Sequence, residues 1–323
     1  MVVPVSVSDG NGEPVPGLTM ANFRVTEEGR PQVIDSVGNA QEVPLEIALL
    51  IDVSGSVNPL FEFEKKAAGQ FLRTVMKPDD RATIFLIGDR PSATLKSENA
   101  ALAAERLAGI IPSGKSTAFY DTVAAAANYL KQSAPAKSLK VIVALTDGED
   151  NRSDMVRELE LATYRDVDVN SLTPEKRNQL AATTDNAHRN AQAHISRELQ
   201  NADTVFYAIN PAGRSIKLNK ISMRAQAGME KFANETGGTF YLPNFAPTET
   251  KDALQNSSNQ NKNEATLERI FKSLANDLRA QYLIQYYSEA EYPNNKFVKL
   301  DVNLQQTAPN LRLRARHGYY VKN

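Results

Sequence analysis

Four near-continuous runs of apolar residues, separated by helical stretches, occupy the middle of the chain. The runs cover residues 45–51, 82–87, 139–145 and 204–209. Strands without a polar face are typical of a parallel sheet that is covered on both sides. The stretches between and beside the runs are rich in Ala, Leu, Glu and Lys at helical spacing and cover residues 60–75, 98–107, 118–130 and 155–199. We therefore predict an α/β domain with a doubly wound, mostly parallel, Rossmann-like sheet and helices on both faces.

Both chain ends show a different pattern, in which apolar and polar residues alternate with a period of two. At the N-terminus this texture, interrupted by turn residues, covers residues 2–37, and at the C-terminus it covers residues 282–316. Each end predicts about three short antiparallel strands, and so small a sheet is marginal unless its apolar face is buried. We predict that residues 1–43 and 281–323 form the two halves of one β-sandwich. The α/β domain, residues 44–280, would be inserted between them.

Two segments of the α/β domain look like insertions. Residues 163–193 form a polar stretch with helical composition. Residues 256–263 (NSSNQNKN) contain no apolar side chain that could anchor them, which predicts a mobile loop. The sequence of neither segment suggests a function for it.

Composition narrows the class of protein. With 41% hydrophobic and 23% charged residues, the chain has the balance of a globular protein. It carries 37 Lys plus Arg and 38 Asp plus Glu, a formal net charge of −1, which excludes binding to nucleic acid through bulk charge. There is no cysteine, so disulfides, thiolate catalysis and cysteine-ligated metals are excluded. The apolar runs are far shorter than the roughly 20 residues of a membrane helix, so we expect no transmembrane segment.

Oxygen-bearing side chains follow two of the buried strands. Asp52, Ser54 and Ser56 come directly after the first run, and Asp147 follows the run at 139–145. Thr117 lies in a loop that opens a helix. The carboxyl ends of parallel strands meet at one edge of the sheet, where α/β proteins bind ligands. Carboxylate and hydroxyl oxygens suit a hard divalent cation, so these five residues predict a metal site.

These residues resemble a known site. Asp-x-Ser-x-Ser after a first strand, a Thr in a glycine-containing loop and Thr-Asp-Gly after a later strand are similar to the metal-ion-dependent adhesion site of von Willebrand factor A (VWA) domains. All five ligand positions match. Further segments are similar to bacterial proteins of the von Willebrand A-related type, so that the resemblance covers nearly the whole chain; they are residues 23–29, 116–121, 235–241 and 314–320.

The resemblance implies a function in adhesion or protein interaction, without catalysis. It implies Mg²⁺ at the site, with Ca²⁺ or Mn²⁺ as alternatives, and a protein partner whose Asp or Glu carboxylate completes the metal's coordination. It also implies an extracytoplasmic location, secreted, periplasmic or at the cell surface, with any leader peptide already removed. Four neighbours of the ligands are candidates for the rim that faces the partner: Asn58, Lys115, Asp150 and Asn151.

Two other interpretations compete with the metal-dependent one. Residues 109–116 (GIIPSGKS) fit the phosphate-loop pattern of nucleotide hydrolases, which requires a strand that runs directly into Gly109. The preceding residues, 99–108, are instead alanine-rich and predict a helix. The second alternative is a metal-free scaffold, in which Asp52, Ser54 and Ser56 only cap a turn.

Overall fold

The architecture is that of a computed structural model of the 323-residue chain. The structure describes residues 1–54, 59–114, 116–165, 173–211, 213, 219–248, 250–305 and 310–321. The strands are β1 (Val2–Ser8), β2 (Phe23–Glu27), β3 (Arg30–Gln32), β4 (Ile34–Asn39), β5 (Leu45–Asp52), β6 (Arg81–Ile87), β7 (Ser92–Glu98), β8 (Leu139–Leu145), β9 (Thr204–Ile209), β10 (Phe240–Tyr241), β11 (Tyr282–Tyr286), β12 (Phe297–Leu304), β13 (Arg312–Ala315) and β14 (Gly318–Tyr320). The helices are α1 (Pro59–Val75), α2 (Ala100–Ala108), α3 (Phe119–Ser133), α4 (Asp154–Tyr164), α5 (Pro174–Asn201), α6 (Lys220–Thr236) and α7 (Ala253–Ala280).

The central sheet contains six strands in the order β10-β9-β8-β5-β6-β7. All neighbours are parallel except β6 and β7, which are antiparallel. The registers place Asp52 beside Ile87, Ile51 beside Leu145, and Leu145 beside Ile209. The strands β5, β6, β8 and β9 therefore end together, at one edge that we call the carboxyl edge.

Helices cover both faces of this sheet, because alternate residues of each strand point to opposite sides and nearly all are apolar. On one face, β5 residues such as Leu49 pack with Phe71 of α1 and Leu274 of α7. On the other face, Ile142 of β8 packs with α3, α5 and α6, for example with Phe232. The prediction of a doubly wound α/β fold is confirmed.

The two chain ends build a β-sandwich, as predicted. Its sheets have the orders β13-β1-β11-β4 and β14-β12-β2-β3, so each combines strands from both ends. There are four strands from each end instead of three, because the three-residue strands β3 and β14 are too short to show alternation. The shared core contains Val5, Phe23, Ile284 and Val302 among others.

A buried carboxylate lies within the sandwich. Glu27 on β2 is fully buried, and its carboxylate accepts hydrogen bonds from the hydroxyls of Tyr286, Tyr319 and Ser288 at 2.6–2.8 Å. All three donors come from the C-terminal segment. The cluster therefore ties the two chain ends together with polar contacts as well as apolar ones.

The prediction of a mobile loop at 256–263 is wrong, because these residues lie inside α7. Asparagine side chains provide the anchor that apolar ones do not. Asn263 bonds both the N–H and the C=O of Ala246 at 2.8 and 2.9 Å, and Asn256 does the same with Thr250. Asn259 donates to the carbonyl of Pro247 at 2.8 Å. These three asparagines, spaced three and four residues apart, hold the extended segment before α7 against the helix.

Candidate functional site

The first part of the candidate site is the turn that leaves β5. Asp52 is the last residue of β5, and its Oδ1 accepts hydrogen bonds from the backbone N–H of Ser54 at 3.0 Å and from Ser54 Oγ at 2.6 Å. Its Oδ2 accepts from Thr146 Oγ1 at 2.6 Å. Donors at the ends of two different strands, β5 and β8, thus hold the Asp52 carboxylate in one orientation at the carboxyl edge.

The second part is the turn after β8, which carries Asp147. Thr146 is fully buried; besides donating to Asp52, its Oγ1 accepts from the N–H of Gly148 at 3.0 Å. Asp147 is half-buried, and its Oδ1 accepts from the N–H of Glu149 at 2.9 Å. Gly148 has a φ of 76°, and a Cβ there would lie 2.7 Å from Met229, so this tight turn favours glycine.

The third part is the loop before α3, which carries Thr117. This residue is buried, its N–H donates to Asn151 Oδ1 at 2.8 Å, and its carbonyl accepts from the N–H of Asn151 at 3.1 Å. Earlier in the same loop, Ser113 donates its N–H to the carbonyl of Val53 at 2.7 Å. Each pair of the three loops is therefore hydrogen-bonded, and together they form a closed ring at the carboxyl edge.

Carboxyl groups with raised pKa values lie in and beside this ring. Burial raises the pKa of the Asp147 carboxyl group, and the charges of Asp52 and Glu149 raise it further. The hydrogen bond from the N–H of Glu149 lowers this pKa, but by less. A second carboxyl group, Glu64 on α1, is buried, and its burial together with the charge of Asp52 raises its pKa to about 8. A divalent cation would favour the charged forms of both carboxyl groups by offsetting the negative charge of Asp52, so the electrostatics fit a metal at this place.

The donor set also fits a magnesium ion. Four of the five predicted ligands are described and come together on the ring: Asp52, Ser54, Thr117 and Asp147. Two carboxylates and neutral hydroxyls leave room for water, which Mg²⁺ retains in protein sites. Within the described part of the chain, no group of three or more His, Cys, Asp or Glu side chains could hold a metal. Ser56 lies outside the described residues.

Of the predicted rim, Asn58 and Lys115 also lie outside the described residues. The structure places Asp150 beneath the surface instead of on it: it is buried, and its carboxylate accepts from Ser153 Oγ and from the N–H groups of Tyr120, Arg152 and Ser153. These bonds fix the starts of α3 and α4. Asn151 is exposed, but its side-chain oxygen supports Thr117.

Two residues that the sequence analysis did not select belong to the site. Glu64 stands among buried residues of α1, with Phe61 three residues before it and Ala68 four residues after it. An acidic residue on the apolar side of a predicted helix is a signal that a helical projection would have detected. Thr146 is part of the Thr-Asp-Gly motif, but only the geometry identifies its hydroxyl as a support of Asp52.

The structure also bears on the phosphate-loop alternative. Helix α2 ends at Ala108, and Gly109 caps it. The element that leads into the pattern is thus a helix, whereas a phosphate loop follows a strand. Separately, none of the described helices is long and apolar enough to cross a membrane.

Comparisons with known proteins indicate the same type of fold. Residues 47–149 match the family model described as von Willebrand factor type A domain. A search of curated proteins gives no match. Among solved structures, the PilB minor pilin from Streptococcus sanguinis is 17% identical with a TM-score of 0.50, and the alignment covers 75% of this chain and 63% of the pilin. The likeness concerns the fold.

Two further solved structures are similar at lower scores. One is a von Willebrand factor type A protein from Catenulispora acidiphila, 13% identical, with a TM-score of 0.46 over 86% of this chain and 50% of that one. The other is proximal thread matrix protein 1 from the mussel byssus, with a zinc-occupied MIDAS motif. It is 14% identical, with a TM-score of 0.41 over 77% of this chain and 49% of that one. This chain thus spans about half of each.

Proposed function

We propose that this protein is a metal-dependent protein-interaction module, in which a divalent cation at the carboxyl edge is bound by Asp52, Ser54, Ser56, Thr117 and Asp147. The cation is Mg²⁺ in this proposal. Bound there, it would act as an electrophile that accepts a carboxylate from an Asp or Glu side chain of a protein partner. The module has no catalytic role and works outside the cytoplasm.

The observation that supports the proposal most is the closed ring of three loops. Asp52 and Asp147 come from separate strands, yet Thr146 links them, because its hydroxyl donates to Asp52 and its neighbour in the chain is Asp147. A capped turn, as in the metal-free scaffold, would require only Asp52 and Ser54. It would leave the half-buried carboxylate of Asp147, which lies close enough to Asp52 for the charge of Asp52 to raise its pKa, without a compensating cation.

The chemistry of the ligands supports a protein carboxylate as the partner group. Hydroxyl ligands are neutral, so the negative charges that the protein ligands supply are those of Asp52 and Asp147. These two carboxylates balance the ion's charge of +2 if both bind it directly, and they do not exceed it. Water and an incoming anion then complete an octahedral shell. The match of residues 47–149 to the von Willebrand factor type A domain, a family of protein-interaction modules, supports the same class of function.

Titration calorimetry with Mg²⁺ tests the metal. The wild type should bind one Mg²⁺, and Asp147→Asn should lose this binding while it stays folded, because an amide oxygen can still accept from Glu149. Asp52→Ala should lose it too. The matched control is Asp301→Asn, an exposed aspartate of the sandwich, which should bind Mg²⁺ like the wild type. Wild-type binding in Asp147→Asn, or none in the wild type, would refute the proposal in favour of the metal-free scaffold.

A further inference from the structure

A cavity of about 690 Å³ opens on the β-sandwich. This volume lies within the range of about 300–1,000 Å³ that is usual for small-molecule sites. One lining residue, Asp203, directly precedes β9, so the cavity lies toward the edge of the central sheet opposite to the candidate metal site. Its wall includes three tyrosines, two acidic residues and a serine: Tyr292, Tyr319, Tyr320, Asp203, Glu291 and Ser288.

A buried carboxylate lies directly behind this wall. Tyr319 and Ser288, which line the cavity, donate hydrogen bonds to Glu27 at 2.8 and 2.6 Å. The third donor, Tyr286, is a neutral hydroxyl as well, and in the described part of the chain no Lys or Arg forms an ion pair with Glu27. A buried charge usually has a partner of opposite sign. The negative charge of Glu27 is therefore available to a cation in the cavity.

The polar groups on the wall are mostly hydrogen-bond acceptors. Because a carboxylate can only accept, Tyr319 and Ser288 direct their hydroxyl protons to the buried one and present lone pairs to a ligand. The carboxylate of Glu291 is exposed and adds further acceptor atoms. Asp203 contributes less negative charge, since Arg316 pairs with it at 2.7 Å. A ligand that matches this wall carries N–H donors or a positive charge.

Tyrosine rings at this place already bind cations of the chain itself. Lys296 Nζ lies 4.5 Å from the centroid of the Tyr292 ring, and the guanidinium of Arg197 lies 5.0 Å from that of Tyr320. Such contacts arise from the negative electrostatic potential on the face of an aromatic ring. Neither Lys296 nor Arg197 lines the cavity, so the parts of the two rings that do line it remain open to a ligand.

The segment that carries Tyr292 is held in place by main-chain hydrogen bonds. The N–H of Val321 donates to the carbonyl of Lys296 at 3.0 Å, and the N–H of Asn295 donates to the carbonyl of Val321 at 2.9 Å. A wall that is already ordered loses little conformational entropy on binding. Burial, followed by the charge of Glu27, raises the pKa of the Tyr292 hydroxyl. The field of Glu27 therefore extends to this side of the cavity as well.

We propose that this cavity binds an organic cation, an ammonium group attached to carbon, which belongs to a small molecule or to a lysine side chain of a protein. The rings of Tyr292 and Tyr320 contact the cation, and the negative charge of Glu27 balances it. The hydroxyls of Tyr319 and Ser288 accept from its N–H groups or its polarised C–H groups. The sandwich thus has a binding role of its own, which does not depend on the metal site.

NMR titrations that observe the ligand test the proposal, with choline as one probe and N-α-acetyl-lysine amide as the other. The neutral analogue of choline, in which carbon replaces the ammonium nitrogen, is the matched control ligand and should bind at least about tenfold more weakly. Tyr292→Leu removes a ring and should weaken choline binding about fivefold, whereas Tyr292→Phe keeps the ring and the binding. Tyr287→Leu replaces a tyrosine that is 68% exposed and does not line the cavity, so it should bind choline like the wild type.

Charge variants test the role of the carboxylates. Glu27→Gln keeps an acceptor for the tyrosine hydroxyls and removes the charge, so it should weaken choline binding by a similar factor. Glu291→Gln tests the same effect at an exposed position, where folding is not at risk. Asp147→Asn should bind choline like the wild type, so loss of Mg²⁺ binding and loss of choline binding are separate results.

The titrations identify the source of the ammonium group or overturn the proposal. Tighter binding of choline supports a small molecule as the ligand, and tighter binding of the lysine derivative supports a protein side chain. The proposal is overturned if neither probe binds, or if the neutral analogue binds as tightly as choline. Choline binding that is unchanged in Tyr292→Leu, or unchanged in both Glu27→Gln and Glu291→Gln, overturns it as well.

Discussion

The replacement Glu64→Gln tests whether the buried carboxyl group near Asp52 controls the pH dependence of stability. Glu64 is 8% exposed, and its pKa rises from an ordinary 4.5 to about 8 in the folded chain. The folded state then holds the Glu64 proton more tightly than the unfolded state does. The resulting stabilisation is present in full below pH 4.5 and is lost as the pH rises toward 8.

The magnitude follows from the two pKa values. At about 1.36 kcal/mol per pKa unit, the difference between 4.5 and about 8 corresponds to a loss of about 5 kcal/mol of unfolding free energy. Gln has nearly the same shape and no charge, so the variant avoids this loss. Glu64→Gln should match the wild type at pH 4.5 and be more stable by up to about 5 kcal/mol at pH 8.

Urea denaturation at several pH values between 4.5 and 8.5, with EDTA present, measures the difference between the two proteins. Other titrating groups contribute equally to both and cancel. Glu268→Gln, an exposed glutamate of α7, is the matched control and should follow the wild type at every pH. Saturating Mg²⁺ should shrink the gap, since a cation beside Asp52 favours ionised Glu64. Parallel stability curves for the wild type and Glu64→Gln would refute the reasoning.

Three further predictions concern other parts of the molecule. Thr146→Val removes the donor to Asp52 and should cost about 1–3 kcal/mol of stability and weaken Mg²⁺ binding in calorimetry; unchanged binding would show that Asp52 needs no such support. Glu27→Ala leaves the buried hydroxyls of Tyr286 and Tyr319 without their acceptor and should cost at least about 2 kcal/mol in urea denaturation, whereas the exposed control Glu13→Ala should cost nothing measurable. Truncation after Ala280 removes β11–β14 and should make residues 1–43 sensitive to protease while the α/β domain still binds Mg²⁺; undiminished protection of residues 1–43 would contradict the shared sandwich.

The parts of the fold that could be predicted are those in which periodicity and burial agree. The apolar runs predict the parallel strands, and the geometry of a parallel sheet then brings Asp52, Thr117 and Asp147 to one edge. The antiparallel strand β7 was missed, since Ser92–Glu98 at the sheet's edge is largely polar and partly exposed. An edge strand needs little apolar surface, so its sequence gives little signal.

The parts that could not be predicted depend on specific hydrogen bonds. Asn256, Asn259 and Asn263 of α7 hold the preceding segment by hydrogen bonds to its main chain instead of by apolar packing. A pattern of hydrophobic residues does not detect such bonds. Nearness to Asp147 in the sequence makes Asp150 a candidate for the rim, but sequence distance does not tell whether a side chain points outward. Its carboxylate points inward, where it caps two helices.

The interleaved sandwich has a consequence for the order of folding. Strand β1 pairs with β11, and Val5 lies opposite Tyr282. This pairing cannot form until Tyr282, 277 residues later in the chain, has been synthesised. The α/β domain can fold first, and its two ends then lie together: Ala40 donates its N–H to the carbonyl of Gln281 at 2.9 Å. Once folded, this domain acts as a short, rigid connection that removes most of the entropic cost of closing so long a loop. We expect the sandwich to form last, with a rate that falls when the α/β domain is destabilised.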